Sequence, residues 1–86
     1  MTERLAQIAH DVRELLLAGV LATEDPASLE GSTPLISAGR LDSIRTVTLI
    51  GELEARFDVS FEAYEMSVDY LDSIDCISET ILRKTQ

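Results

Sequence analysis

Three stretches of this chain repeat apolar residues at spacings of three and four, and this helical periodicity constrains the fold more than any other feature. The first stretch runs from residue 3 to about 21, the second covers 43–57, and the third runs from 72 or 73 to about 84. Residues 67–71 add one short helical turn, with Ser67 as its cap. No strand pattern competes. We therefore predict an all-α, four-helix bundle with three main helices and a short third helix.

The predicted core faces of the three main helices share large aliphatic side chains, with one phenylalanine. They comprise Leu5, Ile8, Val12, Leu15, Leu16 and Val20 in the first helix, Val47, Ile50, Leu53 and Phe57 in the second, and Ile74, Ile77 and Ile81 in the last.

Residues 23–40 form one long predicted loop. They contain both prolines and two of the four glycines, and they show no sustained periodicity. Leu29, Leu35 and Ile36 are predicted to pin the loop onto the helices. A loop of this length in a small domain is often functional. With 86 residues, we expect one domain over residues 1–86.

The charge of the chain is strongly negative, with 16 acidic and 7 basic residues and a net charge of −9. Such a field repels phosphate backbones, so we expect no nucleic-acid partner. Seven acidic and no basic residues lie between Phe57 and Leu82. This run serves either as a solvated face or as a docking field for enzymes with basic surfaces.

Other residues indicate neither a metal site nor a membrane segment. Cys76 has no partner for an internal disulfide, and His10 has no second ligand at metal-binding spacing. We therefore expect His10 to be a surface histidine and Cys76 to be a small packing residue or an inert surface thiol. No apolar run is long enough to cross a membrane, so we expect a cytoplasmic protein. We also expect the protein to be a monomer.

The tetrapeptide Leu41-Asp42-Ser43-Ile44 joins the long loop to the second helix. Either Asp42 or Ser43 supplies the helix cap, which is the default function of such residues. No nearby histidine or lysine could activate Ser43 as a nucleophile, so we expect a chain that carries a group and is not an enzyme. The sequence Leu71-Asp72-Ser73-Ile74 repeats the motif without the preceding loop, and there we expect only a cap at Ser73.

The stretch from Pro34 to Ile44 resembles the loop and attachment site of the acyl and peptidyl carrier protein family. The resemblance extends from about residue 3 to residue 84 and includes the apolar pattern of residues 47–57, the segment 57–61 and the short helix after Met66. It implies that Ser43, next to Asp42, receives 4′-phosphopantetheine from coenzyme A through a separate Mg²⁺-dependent phosphopantetheinyl transferase. The arm would then carry an acyl or aminoacyl group as a thioester.

Four residues are predicted to contact partner enzymes, namely Leu41, Ile44, Arg45 and Leu49. Ile44 and Leu49 are expected to be partly exposed because they lie off the centre of the predicted core stripe. Many fatty-acid carriers have an acidic residue where this chain has Thr48, and Arg45 adds positive charge close to Ser43. The resemblance therefore favours a carrier of acyl intermediates in a specialised fatty-acid, polyketide or other secondary-metabolite pathway.

Two alternatives stay open. One is a stand-alone aminoacyl or peptidyl carrier of nonribosomal peptide synthesis, loaded by an adenylating ligase. The other is an acidic helical adaptor that docks to a basic partner and carries no prosthetic group.

Overall fold

The computed structural model describes residues 3–85, and this part of the chain is helical without strands. Its main elements are α1 (Glu3–Ala18), α2 (Ser43–Phe57), α3 (Val68–Leu71) and α4 (Ile74–Lys84), with single 3-10 turns at Pro26–Ser28 and Ala63–Glu65. Helix α1 packs along α4 and against α2, and α3 packs on α4. The predicted all-α class, with three main helices and a short third one, is confirmed.

Helix α1 ends at Ala18, three residues before the predicted end. The amides of Gly19 and Leu21 both donate to the Leu16 carbonyl, so the regular hydrogen-bond pattern stops there. Leu21 nevertheless lies in the core, together with Ile8, Val12 and Leu16 of α1. The chain therefore leaves the helix without leaving the protein interior.

The long loop is pinned to the helices as predicted. Leu29 and Leu35 are buried, and Ile36 is half-buried against the core. The loop is not wholly irregular, because Asp25 caps a 3-10 turn by accepting a hydrogen bond from the Ala27 amide at 3.0 Å. These anchors lead the chain back across the core to the start of α2.

The predicted core face of α2 is wrong at two positions. Leu49, expected to be partly exposed, is 0% exposed, whereas Val47, expected to face inward, is 66% exposed. The buried residues of α2 are Thr46, Leu49, Ile50 and Leu53. Thr46 can be buried because its hydroxyl donates to the Asp42 carbonyl at 2.7 Å. The buried face predicted from apolar residues alone leaves out this threonine and is therefore displaced around the helix axis toward Val47.

Helix α4 follows the prediction closely. Ile74, Ile77 and Ile81 are buried, and Ser73 is the N-cap. Cys76 is half-buried and His10 is exposed, as expected for a packing residue and a surface histidine. Among residues 3–85, no helix is long and apolar enough to cross a membrane, and no cluster of side chains could hold a metal ion.

Candidate functional site

Asp42, rather than Ser43, caps helix α2. One Asp42 carboxylate oxygen accepts a hydrogen bond from the Arg45 amide at 2.8 Å, and the Asp42 carbonyl accepts from the Thr46 amide at 2.9 Å. Ser43 is therefore the first helical residue, with an exposed side chain. Within the described chain nothing hydrogen-bonds to its hydroxyl. The capping function falls to Asp42, which leaves the Ser43 hydroxyl available for chemistry.

A tight turn delivers the chain to this position. The Arg40 and Leu41 amides both donate to the Leu35 carbonyl, at 2.8 and 3.2 Å. Gly39 has a φ of 78°, a conformation that favours glycine because it has no Cβ. Leu41 is 2% exposed and anchors the turn in the core. The predicted contact of Leu41 with a partner therefore lacks an accessible side chain, and the same holds for Leu49.

Asp72 fixes the loop that precedes the turn. One of its carboxylate oxygens accepts hydrogen bonds from the amides of Ser37, at 2.8 Å, and Leu35, at 3.2 Å. The other oxygen accepts from the Ser37 hydroxyl at 2.7 Å. The Ser37 amide is the main cause of a lowered pKa of Asp72, because its hydrogen bond favours the ionised carboxylate, and it outweighs the opposing effect of burial. Asp72 thus ties the α3–α4 junction to the loop before Ser43.

This function of Asp72 was not predicted, because residues 71–74 were interpreted only as a second copy of the tetrapeptide. Asp72 and Ser37 are 35 positions apart, and no local pattern connects them. The structure confirms the other half of that interpretation, because Ser73 Oγ accepts from the Cys76 amide at 3.1 Å and the residue is buried. Ser73 is a helix cap, in contrast to the exposed Ser43.

An open groove of about 440 Å³ runs beside Ser43, between α2 and the segment that enters α3. Its walls are mainly apolar and include Ile36, Leu41, Val47, Ile50, Met66 and Val68. The exposed large apolar side chains of the described chain all lie on these two segments, at Ile44, Val47, Tyr64, Met66 and Val68. Apolar surface available for binding is therefore concentrated around Ser43.

The far wall of the groove is held by the end of α4. Lys84 Nζ donates to Glu65 Oε1 at 2.5 Å and to the Ser60 carbonyl at 2.7 Å, and it lies 5.1 Å from the centre of the Phe61 ring. Burial raises the pKa of Glu65, but the hydrogen bonds from Lys84 and from the Glu62 amide outweigh it and hold the pKa below its ordinary value. Glu65 directly precedes Met66, so this ion pair positions the groove wall.

The Ser43 hydroxyl is exposed, and no basic side chain among the described residues is hydrogen-bonded to it. The amides of Ser43 and Ile44 have no acceptor within the described chain, so an anion attached to Ser43 would lie at a helix N-terminus. His10 lies on α1, and Arg40 is engaged with Glu24 at 3.5 Å and with the Ser28 hydroxyl at 3.2 Å. This arrangement suits a hydroxyl that is modified by another protein.

The comparisons with known proteins agree with this geometry. A family model described as "Phosphopantetheine attachment site" matches residues 10–79, which is most of the chain. A search of curated proteins found no match. The matched family is defined by a covalently attached 4′-phosphopantetheine group, and its members interact with phosphopantetheinyl transferases and biosynthetic enzymes. With a four-helix fold and a match over residues 10–79, the chain belongs to the phosphopantetheine-binding family of carrier proteins.

Proposed function

We propose that this protein is a non-enzymatic carrier whose 4′-phosphopantetheine arm is attached to Ser43 and holds acyl intermediates of a specialised pathway as thioesters. The observation that carries the assignment is the contrast between the two Asp-Ser motifs. Ser43 is exposed and free of hydrogen bonds from described residues, whereas Ser73 is buried and accepts from Cys76. Of these two motif serines, only Ser43 is accessible to a modifying enzyme.

The residues around Ser43 fit such a group. Ser43 Oγ would attack the pantetheine-linked phosphorus of coenzyme A and lose its proton to a base of the transferase; the pyrophosphate P–O bond would break, and adenosine 3′,5′-bisphosphate would leave. The phosphodiester charge then lies near the free amides of the first turn of α2, which contributes about 0.3–1 kcal/mol at an exposed helix terminus. Asp42 orients the turn through its cap on Arg45. When bound, the arm supplies the thiol on which the cargo is carried.

The exposed residues next to Ser43 are the proposed contacts with enzymes. Ile44 and Arg45 are exposed, while Leu41 and Leu49 support the site from within the core. A phosphopantetheinyl transferase and an acyl-loading ligase are the partners that this function requires. An aminoacyl cargo loaded by an adenylating enzyme is the second candidate, and the exposed Thr48 and Arg45 favour a dedicated partner in both cases.

Intact mass spectrometry tests the attachment site. The unmodified protein is incubated with coenzyme A, Mg²⁺ and a phosphopantetheinyl transferase of broad specificity. We expect wild type and Ser73→Ala to gain the mass of one phosphopantetheinyl group, and Ser43→Ala to gain none. Circular dichroism confirms that both variants are folded, since Ser73→Ala removes a helix cap that contributes about 1 kcal/mol. Modification of Ser43→Ala would refute the site, and an unmodified wild type would favour the adaptor.

A further inference from the structure

The chain just before the attachment site crosses an exposed stretch between two fixed points. On one side the Asp72 carboxylate accepts hydrogen bonds from the amide and the hydroxyl of Ser37. On the other side Leu41 is 2% exposed and lies in the core. Between them Ala38 and Gly39 are exposed, and a Cβ built on Gly39 would meet nothing within 4 Å. Because glycine also gives the backbone more freedom than other residues, neither of these two residues fixes the path of the chain with a side chain.

Arg40 supplies the missing side-chain contact. Its guanidinium lies 3.5 Å from the Glu24 carboxylate and donates to the Ser28 hydroxyl at 3.2 Å. Glu24 precedes the 3-10 turn Pro26–Ser28, and Ser28 is the last residue of that turn. The Arg40 side chain is only 26% exposed, so both contacts are partly shielded from water. Arg40 therefore ties the stretch before Ser43 to a different part of the long loop.

The 3-10 turn is itself a fixed support. Arg13 of α1 donates to the Pro26 carbonyl at 2.6 Å, and Leu29, the residue after the turn, is 2% exposed. Two of the seven basic residues in a chain of net charge −9 are thus directed at one turn of three residues. Because this turn is anchored to α1 and to the core, its contact with Arg40 can hold the stretch before Ser43 in place.

We propose that Arg40 is a positioning residue for the transfer of phosphopantetheine to Ser43. The inference rests on the proposed function. Arg40 lies two residues before Asp42, whose carboxylate caps α2 through the Arg45 amide. By holding the chain that leads into this cap, Arg40 keeps the first turn of α2 formed and thereby fixes the place of the Ser43 hydroxyl.

The expected effect of losing this contact is on the rate of the bound complex. Helix ends fray, and an attacking oxygen that is misplaced by about 1 Å can lower a rate by about 100-fold. If the loosened chain leaves Ser43 correctly placed in only about one quarter of the complexes, kcat falls about fourfold. The rest of α2 is fixed by its own buried residues, among them Leu49, Ile50 and Leu53, so KM should change little.

The test measures transfer to the unmodified protein by a phosphopantetheinyl transferase of broad specificity, with coenzyme A saturating, the carrier varied and the temperature well below each variant's melting temperature. We expect Arg40→Gln to lower kcat about three- to fivefold, the effect of one hydrogen bond and one partly exposed ion pair, and to leave KM within about twofold. Arg40→Lys should recover part of the loss, because an ammonium group can contact one of the two partners but lacks the fork with which a guanidinium bridges both.

Arg13→Gln is the matched control. It removes the same charge from the same 3-10 turn, but the hydrogen bond that it deletes runs to α1 and not to the stretch before Ser43. Both Arg13→Gln and Arg40→Gln should lower the melting temperature slightly. Only Arg40→Gln should lower kcat, and Arg13→Gln should leave kcat and KM within about twofold.

A combined variant separates positioning from direct contact with the transferase. Glu24→Ala together with Ser28→Ala removes both partners and leaves the Arg40 guanidinium in place. This variant should lower kcat about as much as Arg40→Gln does. Adding Arg40→Gln to it should then lower kcat by less than about 1.5-fold, because the contact is already lost. A direct contact of Arg40 with the transferase or with coenzyme A would instead survive the loss of its two partners, and a full further loss of kcat would reveal it.

Hydrogen exchange of the unmodified protein supplies a readout that does not depend on the transferase. The amides of residues 39–41 and of residues 28–29 donate hydrogen bonds within their own turns. Arg40→Gln should speed exchange of residues 39–41, whereas Arg13→Gln should speed exchange of residues 28–29 alone.

Several results would overturn the inference while leaving the proposed function intact, because wild type would still be modified in each. An unchanged kcat of Arg40→Gln would limit Arg40 to stabilising the loop. A higher KM with an unchanged kcat would show that Arg40 contacts the transferase. Equal losses of kcat in Arg40→Gln and Arg13→Gln would indicate a general loosening of the loop. Failure of wild type to be modified would instead contradict the proposed function.

Discussion

Replacing Asp72 should weaken both the fold and the delivery of Ser43. Asp72→Ala removes the hydrogen bonds from the Leu35 amide, the Ser37 amide and the Ser37 hydroxyl. Hydrogen bonds to a charged group contribute about 1.5–3 kcal/mol when shielded, and Asp72 is half-buried. These three hydrogen bonds make Asp72 a clamp on residues 35–37. Because the two amides can hydrogen-bond to water once this clamp is lost, we expect a loss of about 2–3 kcal/mol in the free energy of unfolding.

The more informative variant is Asp72→Asn, which keeps the shape and removes the charge. The side-chain carbonyl of the substituted residue can still accept from the Ser37 amide, and the Ser37 hydroxyl can accept from the new amide group. We therefore expect a smaller loss of about 1 kcal/mol at pH 7. The matched control is Asp69→Asn, which removes the same charge from an exposed position in α3 and should cost less than about 0.5 kcal/mol.

The pH dependence separates the clamp from general charge. The pKa of Asp72 in the folded protein lies below its ordinary value of 3.8, so the folded state binds the proton more weakly than the unfolded state does. The stability from this carboxylate is fully present above pH 3.8 and is lost as pH falls through the lower folded pKa. The difference between wild type and Asp72→Asn should thus be constant from pH 7 to about 5 and shrink below about 4.

Urea unfolding followed by circular dichroism at pH 7, 5 and 3 measures these differences. Hydrogen exchange of residues 35–41 at pH 7 measures the loop, and it should be faster in Asp72→Asn than in Asp69→Asn. Modification of Ser43 should be slower in Asp72→Asn than in Asp69→Asn. Equal losses in the two variants, or a difference that stays constant at pH 3, would contradict the clamp described for Asp72.

Three further outcomes follow from burial and ion pairing. Leu49→Ala should lower the free energy of unfolding by about 2–5 kcal/mol, because Leu49 is fully buried. Ile44→Ala should change the free energy of unfolding by less than about 0.5 kcal/mol while slowing modification of Ser43, because Ile44 is 77% exposed. A loss in urea unfolding as large as that of Leu49→Ala would show that Ile44 also belongs to the core. Lys84→Met should remove the cation paired with Glu65, lower the free energy of unfolding by about 1–3 kcal/mol at pH 7 and speed hydrogen exchange of residues 60–68. The pKa of Glu65 in the folded wild type lies below 4.5, so this loss should shrink as pH falls below 4.5 and through that lower folded pKa. An exchange pattern equal to wild type would exclude control of the groove wall by Lys84.

The sequence by itself determined the helices and the candidate attachment residue. Helical periodicity is a local property, and the pattern of residues 74–81 places Ile74, Ile77 and Ile81 on the buried face that α4 shows. Capping is local too, since it connects residues within one turn, so Ser73 was assigned as a cap correctly. Ser67 occupies the N-cap position of α3, but its side chain makes no capping hydrogen bond. Leu29 and Leu35 stand out as large apolar residues in a polar loop, which is why their burial could be predicted.

Only the tertiary structure decided the rotation of α2 and the contacts that hold the site together. The elements packed against α2 bury Thr46 and Leu49 and leave Val47 exposed, and the bond from the Thr46 hydroxyl to the Asp42 carbonyl satisfies the buried polar atom. Asp72 reaches Ser37, and Lys84 reaches Glu65, across 35 and 19 positions of sequence. Periodicity encodes which residues share a face, but the packed neighbours determine which face is covered and which distant polar groups meet.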